Sequence, residues 1–536
     1  MKTFSLRLAV ALLFAAVAFQ ALASARAHSP TADEFAHHIA SGYSYWRTGD
    51  FRMNPASPPL PRMLAALPLL FLGAKAPLEH PSWAAGDSPE FARQFFYVAN
   101  HRADEFIFWA RVPTLLLSLA FGACLYVWTR KRMGEAAALG ALALYAFCPD
   151  ILAHSSLATA DLAVAFFFFL TVISFMKWLD APTASRAAGT AALAALAFLC
   201  KFSAVMLFPC LLGIALLSRR LHALHVRHLL LALGMFFVTV WAGYGFEVKP
   251  LLKNTPSPEK KEAVYRRIGG EALADFAKNV PVPLSTFSSA FVAMMHTRAQ
   301  GTNAFLLGEW STRGWWYYYF VAFAVKNTLP FLALLLIGLV RIRHETEDPV
   351  LIWTLFFPPL LFFLSTMPDR AQAGIRYFLP IYPFFFAAAG VAFARFWKWR
   401  RGRLAALGAA LLLWHALEAL SVAPHSLAYF NELAGGPRNG YKVLRDSNLD
   451  WGQGLKTLAK KVRQKNYGRI VLDYPWPADP ASYGIDYRPM TGSERDQPQN
   501  EVYAVSAHAL DARWARELRP TDHAGYAILI YDLRKK

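Results

Sequence analysis

Apolar runs close to bilayer-spanning length recur along most of this chain, and short basic segments punctuate them. A helix needs about 20 mostly apolar residues to cross the hydrocarbon core. Hydropathy predicts about eleven such runs, at residues 6–25, 106–129, 135–148, 160–178, 187–200, 205–217, 228–246, 318–340, 350–367, 377–396 and 404–422. Three of them are short, and the pair flanking Lys201 is compatible with dipping in and returning. Only 17% of the 536 residues are charged, against roughly a quarter in a soluble domain. The predicted class is an all-α polytopic membrane domain.

A net charge of +19 suggests nucleic acid until the basic residues are located. They sit at the ends of apolar runs, where membrane proteins keep their cytoplasmic Lys and Arg, so no nucleic-acid partner is expected. With the amino terminus inside, the connections at 130–132, 177–186, 219–227, 341–343 and 398–403 are short, basic and cytoplasmic. Those at 27–105, 149–159, 247–317 and 368–376 fall outside, as does everything after the last run. Lys2, Arg7 and the small residues from Ala21 to Ala25 also fit a cleavable signal peptide. A retained first span is preferred because further spans follow. Cys124, Cys148, Cys200 and Cys210 lie in or beside apolar runs, with neither disulfide nor metal spacing.

Residues 1–423 therefore form the membrane domain, with a first external loop at 27–105 and a large one at 247–317. Phe35, Ile39, Tyr43 and Trp46 recur at helical spacing, which predicts an interfacial helix. A second apolar run follows Pro58, Pro59 and Pro61. Trp310, Trp315, Trp316, Tyr317, Tyr318 and Tyr319 read as an aromatic belt. From residue 424 to 536 the composition becomes globular. Strand-like alternation at 469–474, 501–506 and 527–531, with helical patterns at 454–465 and 510–518, predicts a small external α/β domain.

Several ionisable residues share one predicted depth on one side. Asp33 and Glu34 follow the first span; their ordinary role would be to complement a helix dipole. His37 and His38 lie at i+3 and i+4 from Glu34, so these three side chains could share a divalent cation, the one cofactor the pattern suggests. Asp161 opens a phenylalanine-rich span, as a cap would, with Asp150 and His154 in the same connection. Lys201 breaks the positive-inside pattern and needs an acidic or anionic partner. Lys326 lies about 12 Å inside its span at 1.5 Å per residue, within snorkelling reach of the interface. Arg376 stands at the outer start of another span. Such a set suits a sugar tethered through phosphate to a long isoprenoid: a carboxylate takes the acceptor's proton, and cations receive the departing phosphate. One base without a second nucleophile implies inversion.

The segment Thr31-Ala32-Asp33-Glu34-Phe35, with Gly49-Asp50-Phe51 and Pro58-Pro59-Leu60, resembles the first external loop of the family 39 glycosyltransferases. These GT-C enzymes include protein O-mannosyltransferases and the lipid A aminoarabinose transferase. His154-Ser155-Ser156 through Thr159-Ala160-Asp161, Lys201, Gly308-Glu309, Lys326 and Arg376-Tyr377 through Pro380 are similar as well. The resemblance implies Asp33 as general base, Glu34 and Asp161 as catalytic helpers orienting acceptor or metal, and Lys201, Arg376 and Lys326 as donor-phosphate ligands. It implies a polyprenyl-phosphate-linked donor among membrane lipids, with a lipid, glycan or protein acceptor. Tyr429-Phe430-Asn431-Glu432-Leu433 and Asp446-Ser447-Asn448-Leu449-Asp450-Trp451-Gly452 resemble bacterial members, implying a bacterial inner membrane with a periplasmic tail. The competing classes are a lipid-linked sugar flippase, which should carry inverted repeats and broken helices, and a non-catalytic membrane receptor.

Overall fold

The computed structural model describes residues 3–55, 57–253, 258–398 and 402–534. Lys2 and residues 399–401 of the predicted basic connection at 398–403 lie outside them. Among the described residues, seven helices are long and apolar enough to cross a membrane: Ser5–Ala27, Ala103–Met133, Asp161–Asp180, Val226–Gly243, Pro349–Thr366, Ile375–Trp397 and Arg403–Ser421. The chain is a multi-pass membrane protein. Two further predicted spans are bent pairs, and the runs around Lys201 are shorter helices, Ala184–Cys200 and Phe202–Leu217.

The bends correct the expected map. Residues 318–340 are not one straight helix: Tyr318–Lys326 and Leu329–Glu345 meet at 113°. Asn327 and Thr328 are extended there, the Thr328 hydroxyl accepts from the Phe331 amide, and Pro330 opens the second helix. A proline in the first helical turn loses no intrahelical bond. Glu135–Ala146 likewise turns by 63° into Pro149–Ser155, where Pro149 starts a new helix.

Interhelical polar contacts sort the two ends of the bundle. Arg132 pairs with Asp180 at 2.8 Å and Asp348 at 3.3 Å, joining three helices at the end predicted to be basic. The opposite end receives the 27–105 loop. Within it, Glu34–His38 is a π-helical turn continuing into Ile39–Thr48, which stops at Gly49 in the left-handed region. Leu60–Phe71 follows. Phe35, Ile39 and Tyr43 face a buried cluster with Phe95 and Phe106, so this stripe packs on protein; Trp46 is exposed. The aromatic belt is also divided: Trp316 is exposed, whereas Tyr318 and Tyr319 belong to the core.

Beyond the last span, five strands form one sheet in the order Tyr487–Pro489, Ile470–Asp473, Val502–Ser506, Ile528–Asp532 and Asp522–Ala524. The first three run parallel, and Ile528–Asp532 is antiparallel to both of its neighbours. Leu455–Gln464 covers one face with Leu455, Leu458, Ala459 and Val462. The short strands at 487–489 and 522–524 carry too little alternation to be read beforehand. The other sheet face joins the main core: Val471, Tyr503 and Leu529 share a cluster with Phe378 and Tyr382. This continuity fixes the sheet over the helix ends.

Candidate active site

Four residues far apart in sequence converge where the sheet meets the bundle. Asp161 opens its helix and is 3% exposed, yet it has no cap role. Its Oδ1 accepts from Lys201 Nζ at 2.6 Å. Its Oδ2 lies 3.7 Å from Arg376 Nη1, which also donates to Asp33 Oδ2 at 3.2 Å. Two carboxylates and two cations thus form a continuous chain. Charged pairs out of water hold geometry well only when each partner is bonded, and here each is. Asp33 remains the most open of the four, with 31% of its side chain exposed.

The cations are further fixed by aromatic faces. Lys201, at the end of Ala184–Cys200, places Nζ 4.2 Å from the Tyr377 ring centre. The Arg376 guanidinium lies 4.1 Å from the Trp451 ring centre. Such contacts contribute on the order of 1 kcal/mol each. Trp451 belongs to a loop that grips both sides of the cleft. Asn448 Oδ1 accepts from the Ile375 amide at 2.9 Å, and Ser447 Oγ donates to Ala373 O at 2.7 Å. Trp451 O accepts from the Ala32 amide at 2.8 Å. Gly374, at φ 94°, lets this loop approach; a Cβ there would meet Ser447 Oγ at 2.8 Å.

Burial pushes the Asp33 carboxyl up, but Arg376, His38 and His37 outweigh it and hold it below its ordinary value. Asp33 is therefore ionised near neutral pH. His154 is fully buried close by, its ring 6.5 Å from that of Trp451, with neither nitrogen hydrogen-bonded to protein.

Two expected site residues are placed elsewhere. Glu34 is fully buried, and its oxygens are taken. Arg111 Nε and Nη2 donate to Oε1 and Oε2, both at 2.8 Å; the Thr31 and Ala158 amides add bonds of 2.9 and 2.7 Å. Burial raises its carboxyl, yet Arg111 and these bonds leave it lowered overall. Glu34 thus has no face for an acceptor. The same saturation breaks the expected metal set of Glu34, His37 and His38. His38, which burial holds down to about 4, spends Nδ1 on Ala158 O at 2.8 Å. Among the described residues, no three His, Cys, Asp or Glu side chains are grouped to hold a metal.

Lys326, expected at donor phosphate, is fully buried. Its ammonium donates to Leu427 O at 2.8 Å and Asn448 O at 2.7 Å, with Asp150 at 3.9 Å. It supports the loop that positions Arg376 and has no surface for a ligand. Arg111 was missed altogether, although a cation five residues inside the predicted 106–129 span is the same signal that singled out Lys326 and Lys201.

Beside Lys201, an apolar groove of about 240 Å³ runs between helices, lined by Phe202, Met206, Phe291, Met294 and Phe362. Tyr377, Arg298, Ser365 and Thr366 also line it, and Arg298 is held by Asp369 at 3.0 Å.

Residues 95–244 match the family described as dolichyl-phosphate-mannose-protein mannosyltransferase. Among solved structures, ArnT from Cupriavidus metallidurans bound to undecaprenyl phosphate matches with a TM-score of 0.51 at 12% identity, over 97% of each chain. Its apo form gives 0.49 over the same shares at the same identity. The oligosaccharyltransferase AglB from Archaeoglobus fulgidus gives 0.41 at 11% identity, over 92% of this chain and 69% of that one. No curated protein sequence matches. The GT-C resemblance carried by the loop motifs agrees with the family match, and the fold agrees with that of ArnT.

Proposed function

We propose that this protein is an inverting glycosyltransferase that moves a sugar from a polyprenyl-phosphate donor to an acceptor at the periplasmic face of the membrane. The observation that carries the reading is the chain of contacts from Asp33 through Arg376 and Asp161 to Lys201. The acceptor hydroxyl gives its proton to Asp33 as its oxygen bonds to the anomeric carbon. The bond from that carbon to the phosphate oxygen breaks, and its electron pair leaves with polyprenyl phosphate. The leaving group gains a negative charge during this step. Arg376 and Lys201, already oriented by Asp161, therefore stabilise the transition state more than the bound donor. With Asp33 as base and Asp161 bonded to Lys201 rather than free to act as nucleophile, displacement is single-step and inverts.

The groove at Tyr377 suits an isoprenoid tail, since most of its lining is apolar and the Tyr377 ring also lies against the Lys201 ammonium. That ArnT was solved with undecaprenyl phosphate supports the same donor class here. Purified protein should bind undecaprenyl phosphate, and Lys201→Ala should weaken that binding by about 10- to 100-fold, the range for losing a charged hydrogen bond. Undiminished affinity removes Lys201 from the phosphate site. Mass spectrometry of envelope lipids and glycans, with and without the gene, then identifies sugar and acceptor.

The pH profile offers a further test. Because Asp33 is held below the ordinary 3.8, the acid limb of kcat/KM should have its midpoint under that value. Arg376→Gln should move the limb upward, since the strongest influence lowering Asp33 is then gone. A limb unmoved by Arg376→Gln assigns the titrating base elsewhere.

A further inference from the structure

A second charged cavity lies at the same end of the bundle, under the opposite side of the tail. It is an open concavity of about 620 Å³, within the range of about 300–1,000 Å³ that small-molecule sites occupy. Arg26, Lys456, Lys460 and Arg463 line it against one acid, Asp104. Lys456 spends its charge on Asp104 at 3.0 Å. Among the described residues, Arg26, Lys460 and Arg463 have no carboxylate within salt-bridge distance. The helix Leu455–Gln464 explains the clustering. Positions 456, 460 and 463 share one face at i, i+4 and i+7, while Leu455, Leu458 and Val462 face the sheet. Three uncompensated cations in one concavity make a site for an anion.

Its depth selects the anion. The floor is Arg26 and Ala27 at the end of the first span, Asp104 at the start of the second, and Pro424 just beyond the last. All three lie at or next to the end of a helix long and apolar enough to cross a membrane, the depth at which head groups are expected. Beneath it, the spans Ser5–Ala27 and Arg403–Ser421 are covered by protein over only 28% and 17% of their apolar windows. Phe19, Leu413, Leu417 and Leu420 are exposed there, so acyl chains have bare helix to pack on directly below the cations.

We infer that this cavity binds the phosphate-bearing head group of an anionic membrane lipid, at a site separate from the Asp33 cleft. Each basic residue near an anionic lipid surface strengthens binding by about fivefold. The test places the purified full chain in nanodiscs of equal phosphatidylglycerol and phosphatidylcholine, then counts retained lipids by native mass spectrometry. Phosphatidylglycerol should be retained preferentially, and the double variant Lys460→Glu, Arg463→Glu should reduce that preference by about tenfold or more. Both positions are exposed, so the melting temperature should hold.

Wild-type protein at 1 M salt, where the Debye length shrinks to about 3 Å, supplies an arm free of mutation and should also lose the preference. Equal retention of the two lipids, or a preference surviving both charge reversal and salt, overturns the inference. Displacement of the lipid by millimolar inorganic phosphate does so too, by assigning the site to a free anion. None of these readouts involves sugar transfer, so they stand apart from the proposed reaction.

Discussion

Asp33→Asn should lower transfer turnover by about 10²- to 10⁴-fold, the range that a positioned general base contributes, while leaving the protein folded. The substitution keeps the shape of the side chain and removes its capacity to take a proton. Asp33 is the most exposed member of its cluster, and Arg376 keeps a second carboxylate in Asp161 at 3.7 Å. The melting temperature should therefore change little. Undecaprenyl phosphate should still bind, because Lys201 and Arg376 remain. Full turnover in this variant would remove Asp33 from the reaction; loss of turnover with loss of lipid binding would mean that the cations had been disturbed instead.

The largest stability effect is expected at Arg111. Arg111→Ala strands the Glu34 carboxylate in a fully buried position and also leaves the carbonyls of Ala25, His28 and Ser29 without the donor they now share. Removing one partner of a buried pair costs about 3–5 kcal/mol. Thermal unfolding in detergent should show a correspondingly large fall in Tm. Glu34→Gln should cost less, since a neutral amide still accepts from the guanidinium. The pH dependence has a definite sign. Glu34 is held below its ordinary 4.5, so its contribution is fully present above pH 4.5 and is lost as pH falls through the lower folded value. In Arg111→Ala that contribution should be absent. A variant of unchanged Tm would show that the pair does not hold the first loop.

These two residues also show where the sequence was informative and where it stopped. The one-sided collection of Asp33, Asp161, Lys201 and Arg376 was legible because membrane topology is written in hydropathy and in the basic residues flanking the runs. Once the order of spans is known, residues at the same depth become neighbours. Asp33 and Glu34 could not be separated this way. They are adjacent, and the π-helical turn starting at Glu34 decides which carboxyl enters the core and which faces the cleft. Lys326 was expected to snorkel towards the interface and donor phosphate, but two carbonyls of the tail hold its ammonium in the core. Hydropathy says nothing about tail geometry. The 113° turn was missed because hydropathy averages over Asn327, Thr328 and Pro330, the residues that end one helix and start the next. Trp451 stood in a noted motif, yet its place over Arg376 depends on contacts made across more than seventy residues.

That last contact has a consequence for biosynthesis. Ser447 to Trp451 follow every span in the chain, so until they arrive Arg376 lacks the Trp451 indole and the neighbouring Ile375 amide lacks its Asn448 acceptor. A nascent chain with all its helices in the bilayer would carry the charged residues without their final arrangement. The arrangement on which the proposed reaction depends would form only when the tail closes over them.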